Sequence, residues 1–406
     1  MRPIYLDHNA TTPLLPGVWD AMRPLMEQTY GNPSSAHAIG RKARQALEDA
    51  REKIAVLLGA QPDEVTFTSG ATEANNLAVF GLQRQPNPPT PFPKKEGGAR
   101  TGVSSPPSFL GKGVGGLGCL CVASLLEHPC VIEPLRHLES LGVPVEWLPV
   151  NTRGVIEWRA SAGNADLVCV MLANHETGAV QPVSDIALSL PKNARLHCDA
   201  VQAVGKLAVS FRELGATTLT ASAHKFGGPK GVGVLLTKRG THLSPRVFGG
   251  HQQSGRRPGT EPVSLAVGMA AALELAVRNL DKNRTQLESL RLRFWNALER
   301  ECAPVVLNGP EIGAPDVVPT TFNVSFLGCR ADLLLMALDL AGIACSTGSA
   351  CSSGSLLPSP VLRAMSVSDE VLRSALRFSF SPSQSVEEID EAAARIAHCV
   401  RTLRAG

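Results

Sequence analysis

Apolar residues recur at helical or strand spacing along most of the chain. The clearest helix runs from Arg41 to Leu58, where apolar side chains fall every three or four residues and charged side chains occupy the other face. Glu64 to Thr68 then predicts a short strand, which leads through a turn of small residues into a helix that passes Asn75 and reaches Leu82. Strand, turn and helix in this order form the βα unit of an α/β domain.

More units of this kind follow toward the C-terminus. The apolar run from Asp166 to Leu172 is nearly unbroken, which is typical of a parallel strand buried on both faces. From about Val263 the pattern changes, and we predict a second, smaller α+β domain there. Further strands are predicted over residues 119–124, 143–150, 195–198, 217–222, 232–236 and 320–326, and further helices over 131–141, 183–190, 265–279, 285–302 and from 387 onward.

Residues 84–118 fit neither of these domains. The segment is dense in Pro, Gly and Ser, and its low apolar content cannot offset the entropy lost on ordering it. We interpret it as a solvated insertion loop between a helix and a strand. A polyproline segment that binds a partner is the alternative, but Pro86 to Pro93 is too irregular to support it.

Composition narrows the class of protein. The 406 residues are 44% hydrophobic and 18% charged, which excludes a disordered chain, and the net charge of +3 gives no support for a nucleic-acid partner. No run of 18 apolar residues exists, so we expect no membrane span. Asp7 and His8 lie where a signal peptide would need an apolar core, which predicts a cytoplasmic protein, and ten cysteines are too few for a disulfide scaffold.

Lys225 is the first candidate for chemistry. It follows a strand end and precedes a glycine-rich turn, and Ser222 and His224 beside it are donors suited to an anion. A lysine that forms a Schiff base needs such a pocket, which lowers its pKa and holds an aldehyde within reach. The alternative is a solvated lysine on a surface loop.

Asp199 and the turn at residues 68–73 extend this interpretation. Asp199 ends a buried strand, where it could hold a protonated pyridine nitrogen, although an N-cap of a following helix is a serious alternative. Residues 68–73 form a strand-to-helix turn whose free N–H groups suit a phosphate. Taken alone, that turn is a weak signal.

Two further side chains are candidates because of their positions. His128 lies just past a predicted strand, at the edge of the sheet where α/β proteins form their sites. Cys351 lies in a run of Ser and Gly, so it is a candidate exposed nucleophile, with an incidental thiol as the alternative. Cys345 is closer to apolar residues and is interpreted as structural. No CxxC pair exists, and we predict no metal site.

Eight motifs together resemble the cysteine desulfurases of the NifS/IscS type, which are class V, fold-type I enzymes that use pyridoxal phosphate. The resemblance implies a large α/β domain with a mostly parallel sheet between helices (residues 14–262) and a small α+β domain (residues 1–13 and 263–406) that carries the cysteine loop. The Ser/Gly-rich surroundings of Cys351 resemble the long-loop group, which donates persulfide to a scaffold. In family order, the motifs are residues 5–13, 31–35, 68–73, 174–178, 199–202, 222–225, 257–260 and 349–351.

The resemblance also implies a role for each matching residue. Lys225 would bind pyridoxal phosphate covalently, Asp199 would bond its ring nitrogen, and His128 would stack on the ring and assist proton transfer. Cys351 would accept the sulfur. The other implied cofactor contacts are Ala71, Thr72, His175, Gln202, Ser222 and His224, with Thr260 from the other subunit of a homodimer, and the implied substrate contacts are Arg377 and Asn32.

The implied activity converts L-cysteine to L-alanine and leaves a persulfide on Cys351 for an acceptor, either an iron–sulfur scaffold or a sulfur carrier. A selenocysteine lyase, another class V aminotransferase and a non-catalytic scaffold are the alternatives. The chain departs from the family pattern in two places. His175 stands where the family commonly has Asn, so its protonation could alter the cofactor, and the insertion at 84–118 is longer than usual.

Overall fold

The computed structural model describes residues 2–83, 119–159, 164–348 and 358–405. The predicted insertion loop at 84–118 and Cys351 lie outside these residues. The helices are α1 (Pro16–Glu27), α2 (Ala38–Leu57), α3 (Ala71–Leu82), α4 (Pro129–Ser140), α5 (Val183–Ser189), α6 (Phe211–Leu214), α7 (Val263–Arg278), α8 (Leu280–Cys302), α9 (Ala331–Leu340), α10 (Pro360–Ala364), α11 (Asp369–Arg373) and α12 (Val386–Ala405). The strands are β1 (Ile4–Tyr5), β2 (Val65–Thr68), β3 (Cys121–Ser124), β4 (Val145–Leu148), β5 (Leu167–Met171), β6 (Arg195–Asp199), β7 (Thr218–Ser222), β8 (Gly233–Thr237), β9 (Val305–Leu307), β10 (Thr321–Phe326), β11 (Ile343–Ala344) and β12 (Ala375–Ser379).

The main sheet has the strand order β2-β8-β7-β6-β5-β3-β4 in the described part of the chain. Strands β3 to β7 pair in parallel, whereas β8 runs antiparallel to both of its neighbours. All five residues of β5 are buried, as its unbroken apolar pattern predicts. The prediction of a mostly parallel α/β sheet is therefore confirmed.

Helices cover both faces of this sheet. On β3, Val122 belongs to the apolar core beneath α1, α2 and α7, while Cys121 and Ala123 belong to a separate core beneath α3 and α4. Successive side chains of a strand point to opposite faces, so alternate residues of one strand supply both cores. The sheet is thus sandwiched between helices.

A further apolar core, that of the C-terminal α+β unit, lies around the antiparallel sheet β12-β10-β9. The phenyl ring of Phe294 on α8 meets the rings of Phe322, Phe378 and Phe380 edge to face or nearly so, with centroids 5.3 to 5.6 Å apart. Strand β1 pairs with β11 and brings the N-terminal segment to this core. This α+β unit contains much of the predicted small domain.

Helix α7 packs with the large domain, although the predicted boundary assigns it to the small one. Its buried residues pack into the large core with those of α1 and α2, whereas the sequence pattern begins the small domain at residue 263. The division into two domains stays a prediction, and this packing favours a boundary at the break near Asn279. Among the described residues, no single helix is long and apolar enough to cross a membrane, although α7 and α8 pass that test as a pair bent by 68°.

Candidate active site

Most of the predicted site residues meet at one edge of the main sheet. The carboxyl ends of β3, β5, β6 and β7 open there, as ligand sites do in α/β sheets, and the start of α3 completes the wall. The cavity at this edge has a volume of about 520 Å³. Nine predicted residues line it: Ala71, Thr72, His128, His175, Asp199, Gln202, Ser222, His224 and Lys225.

The first turn of α3 forms one end of the cavity. Gly70 is its N-cap, with φ of 154°, and a Cβ placed there would meet no atom within 4 Å, so the space in front of the helix is open. The N–H groups of a first turn have no partner within the helix and favour an anion. The Thr72 and Ser222 hydroxyls and the exposed Lys230 line the same cavity.

A chain of buried hydrogen bonds fixes Asp199 at the centre. Asn75 Nδ2 donates to Asp199 Oδ2 at 2.7 Å, and the Val201 backbone N–H donates to Oδ1 at 3.0 Å. Asn75 Oδ1 lies 3.0 Å from Nε2 of His197, whose pKa burial lowers to about 3. A neutral His197 that donates from Nε2 and accepts from the Thr218 hydroxyl satisfies every atom in this chain.

The alternative interpretation of Asp199 as a helix N-cap is wrong. Turns rather than a helix follow β6, and the Asp199 carboxylate accepts the Val201 N–H within the first of these turns. Oδ2 is held by Asn75 from the neighbouring helix α3. The carboxylate is thus oriented from two sides and lines the cavity.

We expect Asn75→Ala to destabilise the apoprotein by about 2 kcal/mol, because it leaves buried atoms of Asp199 and His197 without a partner. The neighbouring Asn76, whose side chain donates to the Thr72 carbonyl of its own helix, provides a matched control. Urea unfolding of both Ala variants measures the difference. Equal midpoints for the two variants would contradict the importance of the Asn75 bonds.

Lys225 ends a short 3-10 helix that follows β7, which turns its side chain into the cavity. Its Nζ donates to the backbone oxygens of Asn9 at 2.6 Å and Ala10 at 3.0 Å. The side chain is therefore held by the N-terminal segment and shares the cavity with Asp199 and His128. The alternative of a solvated surface lysine is wrong.

Two imidazoles face each other in the cavity. The His128 ring lies 5.5 Å from the His175 ring in an edge-to-face arrangement, and His128 Nδ1 also caps α4 by accepting the Cys130 N–H at 3.2 Å. Burial, together with the charges of His128, Arg377 and Lys225, holds the pKa of His175 well below its ordinary value. His175 is therefore neutral at physiological pH, and its buried Nδ1 has no hydrogen-bond partner among the described residues.

Three predicted residues that the structure describes lie elsewhere. Arg377 on β12 is buried behind the cavity, where Nη1 donates to the His175 backbone oxygen at 3.2 Å and Nη2 to Asp7 Oδ1 at 2.7 Å. Asn32 and Thr260 are exposed and do not line the cavity. Cys351 lies outside the described residues, so its role stays a prediction.

Three residues of this region have no predicted role, although each of them contacts a residue that does. Asn9 contacts Lys225, and Asn75 contacts Asp199. Lys206 donates to the Gln202 side chain at 2.6 Å. Asn9 lies inside the motif at residues 5–13, which was the only signal in the sequence for any of them.

A buried carboxyl group also lies beside His128. Glu127 Oε1 accepts from the Ser124 hydroxyl at 2.6 Å and from the Met171 N–H at 2.8 Å, and so ties the turn after β3 to the end of β5. Burial raises the pKa of Glu127 to about 8, so this group holds a proton at neutral pH. The turn that presents His128 is thereby fixed without a buried charge.

The described cysteines are free thiols. Cys345 packs against the core of the α+β unit, and burial raises its pKa to about 12, in line with the structural role predicted for it. Among the residues that the structure describes, no group of three or more His, Cys, Asp or Glu side chains could hold a metal ion.

The arrangement fits pyridoxal phosphate. The phosphate matches the open first turn of α3, and the aldehyde matches the amine of Lys225. The carboxylate of Asp199 is fixed by neutral donors and can bond a protonated ring nitrogen. The unpartnered Nδ1 of neutral His175 leaves one hydrogen-bonding atom for a polar group of the ring.

Comparison with known proteins places these features in a family. The aminotransferase class-V model matches residues 4–92 and 118–392. The chain is 38% identical to the cysteine desulfurase IscS of Dictyoglomus turgidum, over 96% of this chain and 92% of that protein. It is also 38% identical to an IscS-like cysteine desulfurase of Mycobacterium tuberculosis, over 96% of this chain and 94% of that protein.

Solved structures agree with the sequence comparison. A NifS-like protein superimposes with a TM-score of 0.84 at 31% identity, over 98% of this chain and 100% of the other. DndA from Streptomyces lividans superimposes with a TM-score of 0.70 at 32% identity, over 93% of this chain and 99% of the other. This chain therefore belongs to the class-V aminotransferase family and, within it, to the cysteine desulfurases of the NifS/IscS type, whose members use pyridoxal phosphate.

Proposed function

We propose that this protein is a cysteine desulfurase, which removes sulfur from L-cysteine, releases L-alanine and retains the sulfur as a persulfide on Cys351. The observation that carries the proposal is the single cavity shared by Lys225, Asp199 and His128. A related solved protein, 29% identical over 94% of this chain, is described as SspA in complex with cysteine. That description supports cysteine as the substrate class.

Each cavity residue then has a task. Bound pyridoxal phosphate supplies an electron sink for the bonds at the substrate's Cα. Asp199 would bond the ring nitrogen, and His128 would pack against the ring. Lys225 would hold the cofactor through its aldehyde and would accept the substrate's Cα proton. The first turn of α3, with Thr72, Ser222 and His224, would hold the phosphate, and Gln202 and His175 would serve the ring oxygen.

The substrate carboxylate is assigned to Arg377. The guanidinium is held by Asp7 and the His175 backbone oxygen, and its buried Nε has no hydrogen-bond partner among the described residues. A planar fork of donors matches a carboxylate. Asn32 is proposed to help at the same end of the substrate, although it is exposed and does not line the cavity.

The chain on either side of Cys351 supports its role as the sulfur acceptor. Gly348 packs against the carboxyl group of Glu176, and the Ser359 hydroxyl donates to Glu176 Oε2 at 2.5 Å. Glu176 follows the cavity residue His175 in the turn after β5. Gly348 and Ser359, which contact Glu176, therefore lie beside the cavity wall. Three residues of extended chain span about 10 Å. We propose that Cys351, three residues after Gly348, reaches the cavity from this side.

The proposed sulfur-transfer step needs no added oxidant. The Cys351 thiolate attacks the substrate sulfur, the substrate Cβ–S bond breaks, and its electron pair remains on the carbon fragment. That fragment gains protons and leaves as L-alanine. The persulfide on Cys351 retains the sulfur for an acceptor protein, which we propose to be an iron–sulfur scaffold or a sulfur carrier. We also propose a homodimer, in which Thr260 reaches the partner's phosphate site, and a cytoplasmic location.

The proposal is tested by incubating the holoprotein with L-cysteine and measuring alanine. Intact-mass and peptide analysis then locates the added sulfur. We expect one alanine for each sulfur acquired and a persulfide on Cys351. A parallel assay with L-selenocysteine separates a selenocysteine lyase, which would process that substrate and leave L-cysteine unchanged. Absence of alanine from a protein that has bound pyridoxal phosphate would refute the proposed activity.

A further inference from the structure

A second buried lysine shares a neighbour with Lys225. Lys206 Nζ donates to the side-chain oxygen of Asn9 at 3.1 Å, while Lys225 Nζ donates to the backbone oxygen of the same residue at 2.6 Å. Asn9 is 1% exposed. Two amines are thus brought together on one buried asparagine at the wall of the cavity.

Neutral acceptors surround Lys206. Its amine bonds to Asn9 Oδ1 and to Gln202 Oε1, and no carboxylate in the described ranges forms an ion pair with it. Burial and the charges of Lys225 and Arg377 lower its pKa well below the ordinary value. Placing a proton on both amines at once is therefore unfavourable, because each positive charge opposes the other.

The bonds of Lys206 also fix the orientation of Gln202. An ammonium group can only donate, so Gln202 must turn Oε1 toward Lys206 and its NH₂ group toward the Asn9 backbone oxygen, 3.1 Å away. Gln202 lines the cavity, and its NH₂ group has a second hydrogen. Lys206 thus determines which end of this amide can donate toward a bound ligand.

We propose that Lys206 is a positioning residue: beside the shared Asn9 it favours the neutral form of the Lys225 amine, and its direct bond to Oε1 orients Gln202. This inference rests on the proposed function, in which Lys225 bonds the cofactor and then accepts a proton. Both tasks need an amine without its proton at physiological pH, and a second cation nearby provides that.

Other charges act on the same pair. His8 and His224 are kept neutral mainly by burial, with pKa values lowered to about 4, and Lys206 contributes to both shifts. Arg377 is paired with Asp7. The other titratable side chains that line the cavity are Glu73, His128, Cys130, His175, Asp199 and Lys230. Among the described residues, Lys206 bonds to none of these titratable groups, so changing Lys206 tests its effect on Lys225.

The experiment follows the visible absorption of the bound cofactor in the holoprotein as the pH is varied. We expect Lys206→Met to raise the midpoint of this titration by about one pH unit or more, because a neighbouring positive charge is lost. Lys206→Arg keeps a cation, so its midpoint should remain at or below that of the wild type. Lys282→Met, which removes an exposed lysine of α8, should leave the midpoint unchanged.

The outcomes separate this inference from the proposed function. A wild-type protein that acquires no visible absorption with pyridoxal phosphate would refute the function. A protein that does acquire it, with the same or a lower midpoint in Lys206→Met, would overturn the role of Lys206. Equal upward shifts in the Met and Arg variants would indicate lost packing rather than charge, and would also overturn it. Lys206→Gln replaces the Met variant if that protein does not fold.

Discussion

Replacing Lys225 by Ala is expected to abolish the reaction, with a loss of at least about 10³-fold in alanine formation. The variant removes both the amine that binds the aldehyde and the base that accepts the Cα proton. The visible absorption of the bound cofactor should disappear at the same time. Steady-state alanine release and an absorption spectrum of the purified variant measure the two effects.

The variant should still fold. Lys225 Nζ donates to backbone oxygens of Asn9 and Ala10, and Asn9 keeps its bonds to Ser379 and Thr321 when that amine is removed. Lys238→Ala, an exposed lysine just after β8, provides the matched control and should retain activity and colour. A Lys225→Ala protein that keeps its visible absorption and its activity would show that another amine holds the cofactor.

Replacing Cys351 by Ser is expected to separate cofactor binding from sulfur transfer. The variant should bind pyridoxal phosphate with an unchanged spectrum, because the cavity residues are intact. Alanine formation should fall to background and no persulfide should form, because a serine hydroxyl cannot hold the sulfur as a persulfide. Absorption spectra, alanine release and the protein mass measure each part.

Cys345 supplies the control for this variant. It lies only six positions away, but its buried thiol has a pKa raised to about 12, so it stays protonated and cannot act as the nucleophile. Cys345→Ala should therefore retain alanine formation and persulfide within a few-fold of the wild type. Full desulfurase activity in Cys351→Ser would contradict the role of Cys351.

The strands of the main sheet could be predicted because burial on both faces produces continuous apolar runs. β5 and β7 were found within one residue at each end, and α2 was found because one of its faces is buried. Helix α1 escaped prediction, since it contains Pro24 and has only Val18 and Met22 fully buried. Strand β12 escaped as well, because Arg377 interrupts its apolar pattern.

Site residues could be predicted where they lie close together in the sequence. Lys225, Ser222 and His224 are neighbours in sequence, and the glycine-rich turn that follows them indicates a binding site. The supports of the site arise from contacts between distant parts of the chain. Asn75 reaches Asp199 over 124 positions, and Lys206 reaches Asn9 over 197. Such pairs depend on the three-dimensional packing, so no local pattern of the sequence reveals them.

The contact of residues 7–9 with β12 has a consequence for synthesis. The backbone of Asn9 bonds to the Ser379 hydroxyl, 370 positions further along the chain, and the same segment holds Lys225 and Arg377. At about 5–20 residues per second, roughly 20 to 75 s of translation separate the two. A nascent chain on the ribosome therefore forms the contacts of residues 7–9 with Ser379 and Arg377 only when translation is nearly complete.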